Sequence, residues 1–331
     1  MYGGSFNPLH LGHVACIIRA AGMCERLIVV ISEGRLRDEI DVRIRYRWVY
    51  EVTSHIGNVE IFVLSDDAPS KGEYGEELWM ADAERVKKFA GERIDAVFCG
   101  SDYGEDSWWG KCYPEARLVI FRRNEISSTA IRRDPYGNWD MLPNVVKPHY
   151  VKRVLVTGSE SSGKSTLARN LANYFNTNLL EEVGRDMSER SGTDEMMLRG
   201  DFTDILLTHK LLERSLMRTS RMVLFEDTDC LVTKFFMEFL GASDERNEAL
   251  ADAIAGLNSY DLILFLEPDV RFVDDGSRSR IIASDRESYS GRLKEIYLGA
   301  GFRLTEIRGS YDERFTKSVE LVEKMLGRGK P

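Results

Sequence analysis

The sequence predicts an α/β protein with two domains, each built on a doubly wound parallel sheet. Its length of 331 residues suits about two domains of roughly 100–200 residues each. Short apolar segments alternate with helical patterns, as in parallel sheets covered by helices. A glycine-rich loop of the phosphate-binding type lies in mid-chain, so a whole domain precedes it. Pro135, Pro143 and Pro148 mark the junction, and we expect domains over residues 1–146 and 147–331.

The composition restricts the class of protein. Hydrophobic residues make up 43% and charged residues 30% of the chain, which is ordinary for soluble domains. The net charge of −9 argues against broad electrostatic binding to nucleic acid or acidic membranes. No apolar segment could span a membrane, no signal segment opens the chain, and the five cysteines lack metal-ligand spacing. We expect a cytoplasmic protein with reduced thiols that binds neither nucleic acid nor membranes.

The first motif, G-x-F-x-P-x-H-x-G-H, occupies residues 4–13 and precedes a helical pattern. His10 and His13 are three residues apart, so at a helix start they share one face. The helix N–H groups and the two imidazoles then offer several donors to one anion. A capping or surface role would explain either histidine alone, but the joint pattern is more specific. Since only Met1 and Tyr2 precede the glycines, either the first strand is very short or native residues precede Met1.

The first sheet is completed by apolar segments that follow this motif. The predicted strands are residues 27–31, 59–64, 96–99 and 118–121. A helical pattern lies at 76–89, and a basic amphipathic helix is predicted to begin at Arg43. Its arginines would line the polar side of the helix; the alternative is that they form only a solvated charged surface. Ligands of doubly wound sheets bind at the carboxyl ends of the strands. The residues that would gather there are His10, Ser32, Gly100 and Asp102.

A second motif, I-S-x-T-x-I-R, occupies residues 126–132. Its Ser and Thr predict a capped helix start, and Arg132 one turn later could hold a phosphate by a forked contact. A capped surface helix is the alternative. Together, the two motifs resemble the two signatures of the nucleotidyltransferase superfamily. The resemblance implies that the domain holds ATP while a phosphate of a second substrate attacks its α-phosphorus and pyrophosphate leaves.

The superfamily resemblance also implies roles for individual residues. His10 and His13 would contact the triphosphate, and its phosphates would be held from the other side by Ser127, Thr129 and Arg132. This catalysis needs positioning and charge stabilisation rather than a covalent intermediate. Further ATP contacts are expected at Gly4, Phe6, Asn7, Gly100 and Asp102.

The phosphate-binding loop of the second half, G-x-x-x-x-G-K-S, occupies residues 158–165. An apolar segment at 154–156 precedes it and a helical pattern follows, which is the setting that the motif requires. Gly158 and Gly163 let backbone N–H groups close on phosphate oxygens. Lys164 would reach the β- and γ-phosphates, and Ser165 would ligate Mg²⁺. Other ATP contacts are expected at Glu160, Ser161, Ser162 and Thr166.

Charged residues follow the later strands of this half. Glu182 and Arg185 could face an acceptor, with a salt-bridged turn as the alternative. The apolar strand at 222–225 leads into Asp227, and carboxylates at such a position usually serve Mg²⁺. Beyond the strand at 262–266, a loop containing Arg278 and Arg280 would close over the triphosphate, or else be a disordered surface loop. No N-K-x-D motif occurs, so a small-molecule kinase is favoured over a GTPase switch.

The order of the two halves resembles the NadR family, in which a nicotinamide-nucleotide adenylyltransferase is fused to a ribosylnicotinamide kinase. The likeness includes I-S-x-T-x-I-R with the following Trp139 and Pro143, and G-x-E-S-S-G-K-S. It also includes E-x-G-R at 182–185, D-T-D at 227–229 and V-D-D-G-x-R-S at 273–279. The resemblance implies that the second half uses ATP and Mg²⁺ to convert nicotinamide riboside to nicotinamide mononucleotide. The first half would then join the mononucleotide to AMP, giving NAD and pyrophosphate.

The family resemblance leaves several points open. Trp79 is a candidate for stacking on nicotinamide, with packing as an equal alternative, and Asp229 is a candidate for binding substrate. Some family members carry a DNA-binding helix-turn-helix; because this acidic chain starts at the catalytic motif, we expect no specific DNA binding. Another nucleotide or a pantetheine-type acceptor is an alternative substrate, and a non-catalytic NAD- or ATP-sensing regulator is an alternative function. Oligomeric state, channelling, and the choice of base among Glu182, Asp227 and Asp229 also stay open.

Overall fold

The computed structural model describes residues 1–70, 72–100, 107–122, 127–192, 196–273 and 280–328, without the Arg280 side chain. The chain divides into two compact units, Met1–Lys147 and Pro148–Pro331. Each contains a five-stranded parallel sheet, so the predicted fold class is confirmed. Within the described residues, no helix is both long and apolar enough to cross a membrane.

In the first unit, helices alternate with parallel strands along the chain. The strands are β1 (Tyr2–Gly4), β2 (Leu27–Gly34), β3 (Val59–Asp66), β4 (Ala96–Gly100) and β5 (Arg117–Phe121). The helices are α1 (Leu11–Ala21), α2 (Val42–Thr53), α3 (Glu76–Ala90), α4 (Trp108–Cys112) and α5 (Ser128–Arg133). The strand order is β3-β2-β1-β4-β5, so β1 lies at the centre of the sheet.

The central strand β1 contains just three residues. It runs parallel to β2, with Tyr2 opposite Val29. On its other side, the Phe98 N–H of β4 donates to the Met1 carbonyl at 2.9 Å. In this sheet the first strand is therefore very short. Because β1 is central, the loop that follows it emerges at the middle of the carboxyl edge, where ligands of such sheets bind.

The second unit repeats this architecture around a different strand order. The strands are β6 (Lys152–Gly158), β7 (Leu179–Leu180), β8 (Val223–Asp227), β9 (Leu262–Leu266) and β10 (Thr305–Ile307). The helices are α6 (Lys164–Phe175), α7 (Val183–Ser191), α8 (Arg199–Met217), α9 (Cys230–Phe239), α10 (Glu245–Leu257), α11 (Arg280–Ser284), α12 (Arg286–Gly299) and α13 (Tyr311–Met325). The sheet order is β10-β9-β6-β8-β7, with β6 in the centre.

The core of the second unit explains why its strands are so apolar. Leu155 of β6 and Phe265 of β9 are fully buried, and they belong to one cluster with Phe202 of α8 and Tyr297 of α12. Strands covered on both faces are expected to be continuously hydrophobic. The segments predicted at 154–156, 222–225 and 262–266 accordingly lie in or overlap β6, β8 and β9. The edge strand β10 was not predicted, because its three residues mix polar and apolar side chains.

Candidate active sites

The loop after β1 holds His10 and His13 in a fixed arrangement at the start of α1. His10 caps the helix: its Nδ1 accepts from the His13 N–H at 3.4 Å, while the His13 Nδ1 accepts from the His10 N–H at 3.4 Å. The rings stack with their centroids 3.6 Å apart. Because both Nδ1 atoms accept backbone hydrogen bonds, each neutral ring carries its proton on Nε2. Each histidine thus retains a donor nitrogen, which is what binding of a triphosphate would require.

The second motif lies against this loop, although 120 residues separate Pro8 from Ser128. The Ser128 hydroxyl donates to the Pro8 carbonyl at 3.1 Å, and the Arg132 guanidinium donates to the Asn7 carbonyl. Ser127 caps α5 by accepting a helix N–H, as the sequence predicts. The two motifs therefore lie against each other at the carboxyl edge of the first sheet.

The other described residues that are predicted to contact ATP in this unit lie at or near the same edge. Gly4 ends β1 and Gly100 ends β4, the strand beside it. Phe6 is fully buried with a φ of 47°, and Thr129 lies in the first turn of α5. Asp102 lies outside the described residues.

Trp79 lines a cavity of about 260 Å³ that also borders the ends of β1 and β2. Its ring meets Trp109 and Tyr74 edge-on, with centroid distances of 5.1 and 5.4 Å. A glycine is needed at position 3, because a Cβ there would lie 2.5 Å from Cη2 of the Trp109 indole. Trp79 is thus placed both to pack against protein rings and to meet a ligand, so both interpretations stay open.

Arg45 is a residue at this edge that sequence reasoning missed. The pattern placed it among the polar arginines of α2, which is wrong, since its side chain is fully buried. The guanidinium donates to the carbonyls of Ser5 at 2.6 Å and Ser32 at 3.0 Å, and it pairs with Asp38 at 3.0 Å. The available signal was its spacing, three residues before the buried Trp48 on one helical face. Arg45 thereby ties the loop after β1 to the end of β2.

We expect Arg45→Met to destabilise the first unit by about 3–5 kcal/mol, because it leaves buried partners without their charge. The five tryptophans of the chain, at positions 48, 79, 108, 109 and 139, all lie in this unit. Urea unfolding followed by tryptophan fluorescence therefore reports on it selectively. Arg47→Met, at an exposed position of the same helix, is the matched control and should shift the unfolding free energy by less than about 0.5 kcal/mol. Equal free energies for the two variants would contradict this role.

The glycine-rich loop of the second unit connects β6 to α6. Gly158 has a φ of 146°, and a Cβ there would lie 2.5 Å from a backbone oxygen of β9. Gly163, with a φ of 89°, precedes α6, so the unpaired N–H groups of the helix start face the loop. Lys164 begins the helix, and its Nζ donates to the Ser159 carbonyl at 3.0 Å. These features form a phosphate cradle with a lysine at its rim.

Two arginines distant in sequence hold this loop in place. Arg314 of α13 donates to the Ser162 carbonyl at 2.5 Å, and Arg286 of α12 donates to the Ser161 carbonyl at 3.0 Å. Sequence reasoning did not find either arginine, because neither belongs to a local motif. By engaging the loop carbonyls, they support the conformation in which its N–H groups serve an anion.

Asp227 ends β8 beside Ser165, the other residue predicted to bind Mg²⁺. The Asp227 carboxyl is 2% exposed; burial raises its pKa, while the charge of Lys164 and a hydrogen bond with Ser165 oppose that rise. Its Oδ1 has no hydrogen-bond partner among the described residues. A buried carboxylate oxygen without a partner, next to a hydroxyl, suits a divalent cation.

A cavity of about 200 Å³ opens beside the loop. Its polar lining includes Glu160, Lys164, Ser165, Thr166, Glu182 and Arg185. Its apolar lining includes Met197, Phe202, Ile205, Phe236 and Leu240. Glu182 and Arg185 also pair with each other at 3.6 Å, so the structure contains both features that the sequence offered as alternatives. A phosphate end next to an apolar end suits an acceptor that carries both hydroxyls and a ring.

Asp229 does not belong to the described lining of this cavity. Its carboxylate is 2% exposed, caps α9, and accepts from the hydroxyls of Tyr297 at 2.6 Å and Tyr260 at 3.1 Å. The geometry therefore gives Asp229 a structural role, and its contact with substrate stays a prediction. Arg278 and the Arg280 side chain, predicted to close over the triphosphate, lie outside the described residues.

Two family models match this chain. The cytidylyltransferase-like family matches residues 1–134, and the AAA domain family matches residues 153–314. Two curated relatives, from Salmonella typhimurium and Escherichia coli, carry the name trifunctional NAD biosynthesis/regulator protein NadR. Each is 29% identical to this chain, over 98% of its length and 82% of the relative's length.

Solved structures of NadR proteins share the fold of this chain. One, in complex with NAD and AMP-PNP, has a TM-score of 0.78 at 22% identity, covering 100% of this chain and 96% of that chain. Another, in complex with NR, has a TM-score of 0.77 at 22% identity, covering 98% of this chain and 95% of that chain. Over nearly its whole length, this chain is similar to the NadR proteins, with a cytidylyltransferase-like first half and a second half that matches the AAA domain family.

Proposed function

We propose that this chain is a bifunctional enzyme of NAD salvage that uses ATP at two sites. The second domain phosphorylates nicotinamide riboside to nicotinamide mononucleotide, and the first adenylylates the mononucleotide to NAD. The observation that carries the proposal is the presence of two phosphate sites of different construction in one chain. One is the edge formed by His10, His13 and Arg132, and the other is the loop that contains Lys164. The NAD-biosynthesis name of the relatives supports the choice of substrate.

In the kinase step, a hydroxyl oxygen of the riboside forms a bond to the γ-phosphorus of ATP, and the bond to the ADP oxygen breaks. Lys164 and the N–H groups at the start of α6 hold the phosphates as charge moves onto the leaving ADP. A carboxylate beside the cavity receives the hydroxyl proton, and the candidates are Glu182 and Asp227. The protein's contribution is positioning and charge neutralisation.

In the adenylyl step, a phosphate oxygen of the mononucleotide forms a bond to the α-phosphorus of a second ATP, and pyrophosphate leaves. The Nε2–H groups of His10 and His13 donate to the triphosphate oxygens, where negative charge develops. Arg132 reaches the same edge from α5 and adds a fixed positive charge. Preorganised donors of this kind stabilise the transition state more than the ground state.

Ser165 and Asp227 would hold Mg²⁺ in the kinase site, where the ion neutralises phosphate oxygens of bound ATP. The described ranges contain no group of three or more His, Cys, Asp or Glu side chains arranged to hold a metal ion. Mg²⁺ bound with nucleotides needs few protein ligands, since the phosphates complete its coordination.

We expect EDTA to stop riboside phosphorylation and added MgCl₂ to restore it, measured as ADP released. Full activity in excess EDTA would contradict the metal assignment.

The proposed function is tested by incubating the chain with nicotinamide riboside, ATP and magnesium and following products by mass spectrometry. We expect the mononucleotide to appear first and NAD to follow. A chain that binds ATP or NAD but consumes neither substrate would instead be a sensor. Intact His10, His13 and Arg132 favour the enzyme.

A pantetheine-type acceptor is the alternative substrate for the first domain. Phosphopantetheine adenylyltransferase of Proteus mirabilis is 34% identical to this chain over 62 residues, which is 18% of this chain and 38% of the relative. Offering 4′-phosphopantetheine and nicotinamide mononucleotide to the same preparation separates the two. We expect adenylylation of the mononucleotide alone.

A further inference from the structure

Tyr311 is an exposed aromatic residue beside the glycine-rich loop of the second domain, and neither the motifs nor the mechanism above assigns it a role. It is the first residue of α13, and 54% of its surface is exposed. A Cβ placed on Gly163 would lie 3.1 Å from Tyr311 Cε1, so one edge of the phenol ring lies directly against the loop. Within the described ranges, Tyr311 has no hydrogen-bond or aromatic partner. The ring is therefore available to a ligand that reaches past the phosphate cradle.

Hydrogen bonds around the start of α13 hold Tyr311 in this place. The Gly309 N–H donates to the Asp269 carboxylate at 2.8 Å. Arg314, in the first turn of α13, donates to the Gly309 carbonyl at 2.8 Å and to the Ser162 carbonyl of the glycine-rich loop at 2.5 Å. Since one buried guanidinium joins the helix start to the loop, the position of the ring relative to the phosphate cradle is set before a nucleotide binds.

The order of the strands shows which end of ATP lies near Tyr311. In the order β10-β9-β6-β8-β7, the cavity beside the loop lies on the β8 side of β6, since Thr228 and Glu182 of its lining come after β8 and β7. Helix α13 follows β10, at the opposite edge of the sheet, and Tyr311 is not among the described residues that line the cavity. The γ-phosphoryl group has to face the cavity, because the acceptor hydroxyl attacks it there. The adenosine, at the other end of ATP, then extends away from the cavity and towards Tyr311.

We infer that the ring of Tyr311 stacks on the adenine of the ATP bound in the kinase site, which makes Tyr311 a nucleotide-binding residue. This inference rests on the proposed kinase function. A nucleobase has a flat π-face, and an exposed aromatic side chain adds affinity by covering that face without reading the identity of the base. The glycine-rich loop then holds the phosphates and Tyr311 holds the base, so the two ends of the nucleotide are bound by different segments of the chain.

The test measures the KM for ATP in riboside phosphorylation, followed as ADP released. We expect Tyr311→Ala to raise this KM about 5–30-fold, the usual effect of removing one ring that stacks on a base, and to leave the KM for the riboside unchanged. Tyr311→Phe keeps the ring and should retain the wild-type KM for ATP. The control is Tyr174→Ala, which removes a similarly exposed tyrosine from the far end of α6 and should behave as wild type.

Tripolyphosphate separates binding of the base from support of the loop, because it carries the phosphates of ATP without a base. As an inhibitor competing with ATP, it should have the same inhibition constant in Tyr311→Ala as in wild type. An unchanged KM for ATP in Tyr311→Ala, equal losses in the Ala and Phe variants, or an inhibition constant that rises as much as the KM would each overturn the inference while leaving the kinase function intact. A wild-type chain that phosphorylates no riboside would contradict the proposed function, and the inference with it.

Discussion

Replacing Lys164 with alanine is expected to lower the rate of nicotinamide riboside phosphorylation by at least about 10²–10³-fold, the usual cost of removing one charge-stabilising donor. The lysine begins α6 at the rim of the glycine-rich loop, beside Asp227 and Ser165. No other lysine or arginine among the described cavity-lining residues belongs to that loop. The variant should still convert nicotinamide mononucleotide and ATP to NAD at the wild-type rate.

The control for this substitution is Lys324→Ala, which removes an exposed lysine from α13. Both variants are assayed separately with the riboside, for ADP formation, and with the mononucleotide, for pyrophosphate release. Loss of both activities in Lys164→Ala would show that the two steps share one site, and the division of labour between the domains would be wrong.

Replacing His13 with alanine is expected to have the opposite effect. Adenylylation of the mononucleotide should fall by about 10²–10³-fold, because one of the two Nε2–H donors disappears. Riboside phosphorylation should continue. The substitution also removes support for His10, since the His13 ring accepts a hydrogen bond from the His10 N–H at 3.4 Å and stacks on the His10 ring.

The His13 variant needs a control for folding, because its side chain is buried. His55→Ala removes an exposed histidine from the same domain and should leave both activities unchanged. Tryptophan fluorescence of the His13 variant should match that of wild type in the absence of urea. A folded His13→Ala protein that still makes NAD at full rate would remove the histidines from the proposed mechanism.

Local motifs predicted the fold class because each motif encodes a conformation. The glycines at 158 and 163 adopt the positive φ values that the phosphate loop needs, and Ser127 caps α5. The apolar segments became strands because a parallel sheet buries both faces. What could not be predicted were contacts between distant segments. Arg45 and Arg314 look like ordinary basic residues until the fold places backbone carbonyls around them.

Sequence reasoning also could not separate the roles of two nearby aspartates. Asp227 and Asp229 are two positions apart, and the sequence offered both for the kinase site. The strand ends at Asp227, whereas Asp229 lies past the strained Thr228 and points its carboxylate at the first turn of α9 and at two tyrosines.

The central claim, that ATP is attacked at different phosphorus atoms in the two domains, is tested most directly by product stoichiometry. The chain is supplied with nicotinamide riboside, excess ATP and magnesium, and ADP, pyrophosphate and NAD are quantified when the riboside is exhausted. We expect equal amounts of all three, because one γ-phosphoryl transfer and one adenylyl transfer make each NAD. Starting from the mononucleotide, pyrophosphate and NAD should again be equal and ADP should be absent. NAD formed from the riboside without ADP, or ADP formed in proportion to NAD from the mononucleotide, would contradict the claim.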